Sequence, residues 1–296
     1  MKVLILGVDG MIGHKIAQSL DQYFDIFGTT RKKINNSKIG IKNGKIIVHD
    51  ILINNSEALL NKIHPDILIN CVGITTRRGV DKSLKNTEFI NSHLPHYLDG
   101  WTNKNNSKLI HFSTDCVFNG SIGNYTDDSI PDATDSYGIS KANGEIANRS
   151  TLTIRCSMIG RELYNFTELF EWLYSMNGKS IEGYSNVMYS GTTTVRMGKI
   201  IKLILENHRA ISGILNISSQ PISKFDLLNK LSKSFQLKVD IVKNPNIISN
   251  KVLISKKFTE ITGISSPNWD DLIVEFKNDS DKNHGLYKKN ILWKLR

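Results

Sequence analysis

Cysteine, acidic residues and long apolar runs are all in short supply in this chain of 296 residues. No hydrophobic stretch approaches the 18 residues that would span a bilayer, so no membrane helix is expected. The first seven residues, Met1-Lys2-Val3-Leu4-Ile5-Leu6-Gly7, run straight into a glycine turn. They offer neither the longer apolar stretch nor the small-residue cleavage site of a secretory leader, and a cytoplasmic location is expected. The three cysteines, Cys71, Cys116 and Cys156, are odd in number and lack CxxC spacing. That argues against a disulfide frame or a zinc site, and for a reduced protein. The histidines are scattered without metal-ligand spacing, so no metal is assigned.

Bases outnumber acids by 38 to 28, a net charge of +10, with 14 basic against 8 acidic residues from position 224 onward. No run of Lys or Arg exceeds three, and none interleaves with aromatics, so nucleic acid is not expected as a partner. Lysine and asparagine are abundant throughout, 29 of each, as a compositional bias would give. A positive cleft for a phosphorylated substrate fits the charge equally well. With 40% hydrophobic residues and a mean hydropathy of −0.24, disorder is excluded.

What is present is rhythm. Lys2–Leu6, Asp25–Thr30, Lys45–His49, Asp66–Cys71, Lys108–Ser113 and Thr151–Cys156 read as strands, and helical spacing fills several of the gaps, notably from Gly13 to about Gln22, Ser83–Asn103 and Tyr137–Asn148. Such alternation predicts a Rossmann-like, doubly wound parallel sheet with a smaller C-terminal α/β lobe. Residues 1–160 are read as the dinucleotide-binding domain, to which parts of 185–220 return. Residues 161–276 mainly form a substrate lobe, and 277–296 a polar tail, partly disordered. In the lobe, Asn165–Met176, Thr194–Asn207 and Ser223–Phe235 have helical spacing, Gly213–Ser218 is a short strand, and Asp240–Lys257 is ambiguous.

Three motifs carry chemistry. Gly7, Gly10 and Gly13 in Gly7-Val8-Asp9-Gly10-Met11-Ile12-Gly13 follow the first strand and open a helix. Alone this is a glycine-rich turn; at the first strand–helix junction it predicts a pyrophosphate cradle that includes Met11 and Ile12. The second strand ends in Thr29-Thr30-Arg31 with no acid beside it, so Arg31 is the expected partner of a ribose 2′-phosphate and NADPH is preferred over NADH. Asp50 and Ile51 after the third strand, and Cys71, Val72 and Gly73 after the fourth, are expected to line the same cofactor.

Tyr137 and Lys141, one helical turn apart in Tyr137-Gly138-Ile139-Ser140-Lys141, form the second motif. A lysine ammonium near the phenol is expected to lower its pKa, which suits proton delivery to a carbonyl oxygen. The third is Ser113-Thr114-Asp115-Cys116-Val117-Phe118-Asn119-Gly120, where Thr114 could donate to the same oxygen.

GVDGMIG, STDCVFNG (113–120), YGISK (137–141) and TIRCSM (153–158), in that order, resemble the extended short-chain dehydrogenase/reductases, closest to the dTDP-4-dehydrorhamnose reductase branch. The resemblance covers residues 1–275. It implies Thr114, Tyr137 and Lys141 as catalytic trio and NADPH as cofactor, with Lys141 and Tyr137 also touching it. A nucleotide-diphosphate sugar would lie between the lobes, facing Asn165, Phe166, Ser190 and Arg196. Homodimers are common in that superfamily. The branch usually has tyrosine where Cys116 stands, whereas GDP-fucose synthase and the bifunctional 3,5-epimerase/4-reductases have cysteine. The resemblance therefore implies C4 reduction, with C3 epimerisation through Cys116 as an addition and a UDP-L-rhamnosamine-type product in surface glycan synthesis. A second acid–base residue has no clean match in Tyr164-Asn165-Phe166-Thr167-Glu168. The alternatives are a plain dTDP- or UDP-4-dehydrorhamnose reductase and a non-catalytic NADP-binding subunit, which would be expected to lose the tyrosine or lysine. A 4,6-dehydratase would carry an Asp-Glu pair after the threonine, which is absent here.

Overall fold

β1 (Lys2–Leu6) sends alternate side chains to two apolar layers, which places it at the centre of a sheet covered on both faces. The computed structural model describes residues 1–75 and 84–287. From β1 the chain continues through α1 (Gly13–Leu20), β2 (Asp25–Thr30), β3 (Lys45–Val48), α2 (Ser56–Ile63) and β4 (Ile67–Asn70). Next come α3 (Leu84–Glu88), α4 (Leu94–Lys104), β5 (Lys108–Phe112), α5 (Ser136–Ala142) and β6 (Thr151–Arg155). A π-helical stretch, Phe89–His93, joins α3 to α4.

The second half adds β7 (Met158–Ile159), α6 (Leu169–Ser175), β8 (Ser180–Tyr189), β9 (Thr192–Thr193), α7 (Thr194–Asn207) and β10 (Gly213–Asn216). It ends with β11 (Ile222–Ser223), α8 (Lys224–Ser234), β12 (Asp240–Asn250), α9 (Lys256–Thr262) and α10 (Trp269–Lys282).

The main sheet is parallel throughout, in the order β10-β6-β5-β4-β1-β2-β3. Val3 and Ile5 pack with Ile16, Leu20, Met197 and Ile201 of α1 and α7; Leu4 and Leu6 pack with Leu60, Leu98 and Trp101 of α2 and α4. The strand order reverses between β1 and β4, the crevice where such sheets take ligands. A smaller sheet, β11-β8-β12, has its own core, in which Phe170, Leu228, Leu231, Leu272 and Phe276 meet.

Several expectations change here. α5 stops at Ala142 rather than near Asn148, and Asp240–Asn250 is an edge strand. α10 runs past Lys277 to Lys282, and Tyr287 beyond it is buried, so the tail read as polar begins inside an ordered helix. Leu272, Ile273 and Phe276 anchor that helix from one face, while its exposed side carries the charges that made the segment look like a tail. Ser83 and residues 288–296 lie outside the described residues.

Candidate active site

The crevice at the strand-order reversal is a cavity of about 530 Å³ at the C-terminal ends of β1 to β4. Gly7, Gly10, Arg31, Asp50, Ile51, Cys71, Val72, Gly73 and Asn165 line it. Met11, Ile12 and Gly13 sit in the adjoining turn at the start of α1. A Cβ on Gly13 would stand 2.2 Å from the Gly7 carbonyl oxygen, so only glycine lets the helix begin this close to the strand. The cradle and the cavity fit a dinucleotide: amides at a helix start, a base at the β2 end, and small backbone-rich walls.

The cavity also holds residues that sequence reasoning passed over: Asp9, Thr29, Thr30, His49 and Thr167. Asp9 is the notable one. No acid follows β2 in the chain, yet the Asp9 carboxylate reaches across from the glycine turn to accept from the Thr30 hydroxyl at 2.9 Å. Its place between two glycines was the available signal. Asp50 shapes its own turn, its side chain accepting from the Leu52 amide at 3.0 Å.

The loop after β7 enters the cavity in a strained form. Asn165 and Phe166 both have left-handed backbone, φ 70° and 55°. Glu162, buried, holds them there by accepting from the Thr167 and Glu168 amides at 2.6 and 2.8 Å. Glu162 belongs to a buried cluster in which Arg161 donates to Glu171 at 2.7 Å.

Thr114, Cys116, Tyr137 and Lys141 come together next to this cavity, at the end of β5, without lining it. Thr114 caps the short turn Asp115–Val117, accepting from the Cys116 amide at 3.2 Å. Asp135 caps α5 through the Gly138 amide at 2.9 Å. A Cβ at Gly138 would lie 2.2 Å from the Cys116 carbonyl oxygen, so this glycine is what allows the tyrosine turn to seat against the Thr114 turn. Asn91 ties the two regions, donating to Ser140 of α5 at 3.0 Å and holding the backbone of Ile74 from both sides.

The electrostatics differ from the sequence expectation at one point. Tyr137 is shifted upward, by burial first and then by Cys116, Asp115 and Glu168, while a hydrogen bond with Thr114 works in the opposite direction. The Lys141 Nζ is buried and donates to the Phe112 carbonyl at 2.7 Å. Burial lowers Lys141 to about 8, against the attraction of Glu145. Cys116 is pushed up to about 12 by burial and by Asp115, whose carboxylate accepts from the thiol at 3.6 Å. At neutral pH the site therefore holds a protonated phenol, a protonated thiol and a lysine near its titration point.

Ser190 and Arg196 do not line the cavity. Ser190 is buried and accepts from the Leu253 amide at 2.9 Å, while Arg196 pairs with Glu275 of α10 at 3.0 Å. Helical spacing could not show that the start of α7 turns toward α10. Phe166 is half-buried beside Asn165. Cys156 lies in the core. Among the described residues no cluster of His, Cys, Asp or Glu could hold a metal, and no helix is long and apolar enough to cross a membrane.

Fold and site together define a dinucleotide-binding α/β protein with a tyrosine–lysine–threonine group beside the crevice. Residues 1–280 match the RmlD substrate binding domain, and the chain belongs to that family. It is 27% identical over 174 residues to the spore coat polysaccharide biosynthesis protein SpsK of Bacillus subtilis, a match spanning 56% of each chain. It is 24% identical to the probable low-salt glycan biosynthesis reductase Agl14 of Haloferax volcanii, over 74% of this chain and 75% of that one. The fold matches dTDP-4-dehydrorhamnose reductase from Bacillus anthracis, solved in complex with NADP, with a TM-score of 0.77 at 19% identity, covering 94% of this chain and 99% of that one.

Proposed function

We propose that this chain is an NADPH-dependent reductase of the C4 keto group of a nucleotide-activated 4-keto-6-deoxyhexose, acting in glycan synthesis. The observation that carries the reading is the seating of Thr114, Tyr137 and Lys141 at the end of β5, beside a cavity lined by the glycine turn and Arg31. The family match and the reductase and glycan-biosynthesis names of the relatives support it.

NADPH, when bound, supplies the hydride. The remaining work falls to the protein. Tyr137, kept protonated by burial and by the surrounding acidic groups, is a proton donor for the oxygen that gains negative charge as C4 is reduced. Thr114, fixed as a cap, orients that oxygen with a second hydroxyl. Lys141 in its cationic form steadies the charge that builds on the donor side. Arg31 provides the base for a 2′-phosphate, and Asp9, on the Thr30 hydroxyl, tempers that preference. Asn165 and Phe166 face the sugar nucleotide.

A second reading adds C3 epimerisation, and one observation favours it: the turn that carries Cys116 packs against the start of α5, its carbonyl oxygen against Gly138 beside Tyr137. Inversion at C3 needs a base that removes the C3 proton to leave an enolate and an acid that returns a proton to the opposite face; the protonated Cys116 thiol is the acid of this reading, and the base is not assigned. A UDP-linked 2-acetamido-2,6-dideoxy sugar is the substrate proposed for that branch, and a dTDP- or UDP-4-dehydrorhamnose for plain reduction.

The test is incubation with NADPH and a panel of dehydratase-generated 4-keto sugars carrying different nucleotides, with cofactor oxidation and product structure as readouts. Oxidation with at least one member is expected. No turnover with any would overturn the reductase. Solvent deuterium entering C3 with NADP⁺ present, and lost in Cys116→Ala, is expected if epimerisation accompanies reduction; no exchange in the wild type removes the epimerase.

A further inference from the structure

The segment read as a polar tail carries a residue wired into the glycine turn. Tyr287 is 3% exposed, and its hydroxyl lies 3.0 Å from Nε2 of His14. His14 is fully buried at the start of α1, and its Nδ1 lies 2.8 Å from the Gly10 carbonyl oxygen. A carbonyl only accepts, so Nδ1 carries the hydrogen. Burial holds the ring neutral, with its pKa near 3, so Nε2 is left as a lone pair. That lone pair accepts from Tyr287. The Gly10 carbonyl takes a second bond from the His14 amide at 3.1 Å, and the Gly10 amide donates to Gly7 at 3.0 Å. The Gly10 carbonyl thus sets the proton on Nδ1, and the Tyr287 hydroxyl is the donor that satisfies the buried Nε2 lone pair.

The same tyrosine reaches the other wall of the cavity. The Arg161 guanidinium sits 4.6 Å from the centre of its ring and is anchored by Glu171, next to the strained loop that presents Asn165 and Thr167. Lys15, one residue after His14, is tied to Asp279 of α10 at 2.6 Å, which fixes the approach of the segment.

We infer that Tyr287 is a positioning residue for the cofactor: its hydroxyl, by donating to Nε2, holds the His14 ring in the pose whose Nδ1–H clamps the Gly10 carbonyl, and through it the shape of the Gly7–Gly13 turn. The inference rests on the reading that this turn binds a nicotinamide dinucleotide. Without the hydroxyl Nε2 is left a buried acceptor without that donor, the ring loses the bond that fixes its pose, and the clamp on the Gly10 carbonyl loosens.

The test is Tyr287→Phe, which keeps the ring under Arg161. NADPH binding by cofactor fluorescence should weaken about tenfold, the scale of one buried hydrogen bond. Turnover at saturating cofactor should stay within about twofold. The ¹⁵N signals of His14, identified by their absence from His14→Asn, should keep the Nδ1–H pattern in cofactor-free Tyr287→Phe while the Nε2 signal moves toward that of an unbonded acceptor. In the His14→Asn background, whose amide can donate to Gly10 unaided, Tyr287→Phe should weaken binding no further. Wild-type affinity in Tyr287→Phe, or an Nε2 signal unmoved by it, would overturn the inference. Failure of the wild type itself to bind NADPH or NADH would instead overturn the reading of the turn, and the positioning role with it.

Discussion

Raising the pH through 8 should switch off the reductase by discharging Lys141. This lysine is 5% exposed, bonded to the Phe112 carbonyl, flanked by Glu145 and buried His111, and brought by burial from an ordinary 10.5 to about 8. If its cation is needed, turnover should be flat below about pH 8 and fall about tenfold per unit above it. The assay is NADPH oxidation at saturating substrate from pH 6.5 to 10. Lys141→Arg keeps a charge that does not titrate in this range, so its turnover, though lower, should lose the alkaline limb. Stability moves the other way. The folded pKa lies below the unfolded one, so between about 8 and 10.5 the unfolded chain binds more protons and this group's contribution rises with pH. The cost of burying the cation is fully present below about pH 8 and is relieved as pH climbs. Between pH 7.5 and 9.5 the relief amounts to about 2 kcal/mol, measurable as a difference in denaturant unfolding against Lys141→Met. The comparison is needed because half-buried Lys108 and buried Lys15 are lowered too. A wild-type turnover that stays level to pH 10, or an alkaline limb that survives in Lys141→Arg, would refute the reasoning.

Three further outcomes are expected. Tyr137→Phe should cut turnover by about 10²–10⁴-fold with NADPH affinity nearly unchanged in a fluorescence titration; more than about a tenth of wild-type turnover would remove Tyr137 from the mechanism. Arg31→Asp should lower the NADPH/NADH ratio of kcat/KM by about tenfold or more, and Asp9→Asn should raise it; an unmoved ratio in the first variant would place the 2′-phosphate elsewhere. Glu171→Gln leaves the buried Arg161 guanidinium without its counter-charge and should cost about 3–5 kcal/mol in denaturant unfolding, whereas an effect below about 1 kcal/mol would show that the pair contributes little to the loop.

The parts of this molecule legible in its sequence are those where local geometry forces the residue type. Gly13 must be glycine because the helix starts against the Gly7 carbonyl, and β1 must be apolar from Val3 to Leu6 because both its faces are covered there. Gly138 stood in the tyrosine motif for a reason visible only in three dimensions, the Cys116 carbonyl against it. β8 and β12 were missed or ambiguous because their burial is irregular along the strand and gives no clean alternation. Asp9, Thr167 and the His14–Tyr287 pair were out of reach for a different reason. Their roles depend on partners brought together by the fold, in the last case 273 residues apart. Ser190 and Arg196 show the converse: a transferred position whose side chain is engaged by Leu253 or Glu275 instead.

The central claim is hydride delivery to C4 of a nucleotide-linked keto sugar at the Tyr137 site. The most direct measurement uses NADPH carrying deuterium at the transferring position, with the product's sugar carbons examined by NMR. The account predicts deuterium at C4 in wild-type product, formed at least a hundredfold more slowly in Tyr137→Phe. Deuterium at another carbon, no transfer to any 4-keto substrate, or equal rates in the two proteins would contradict it.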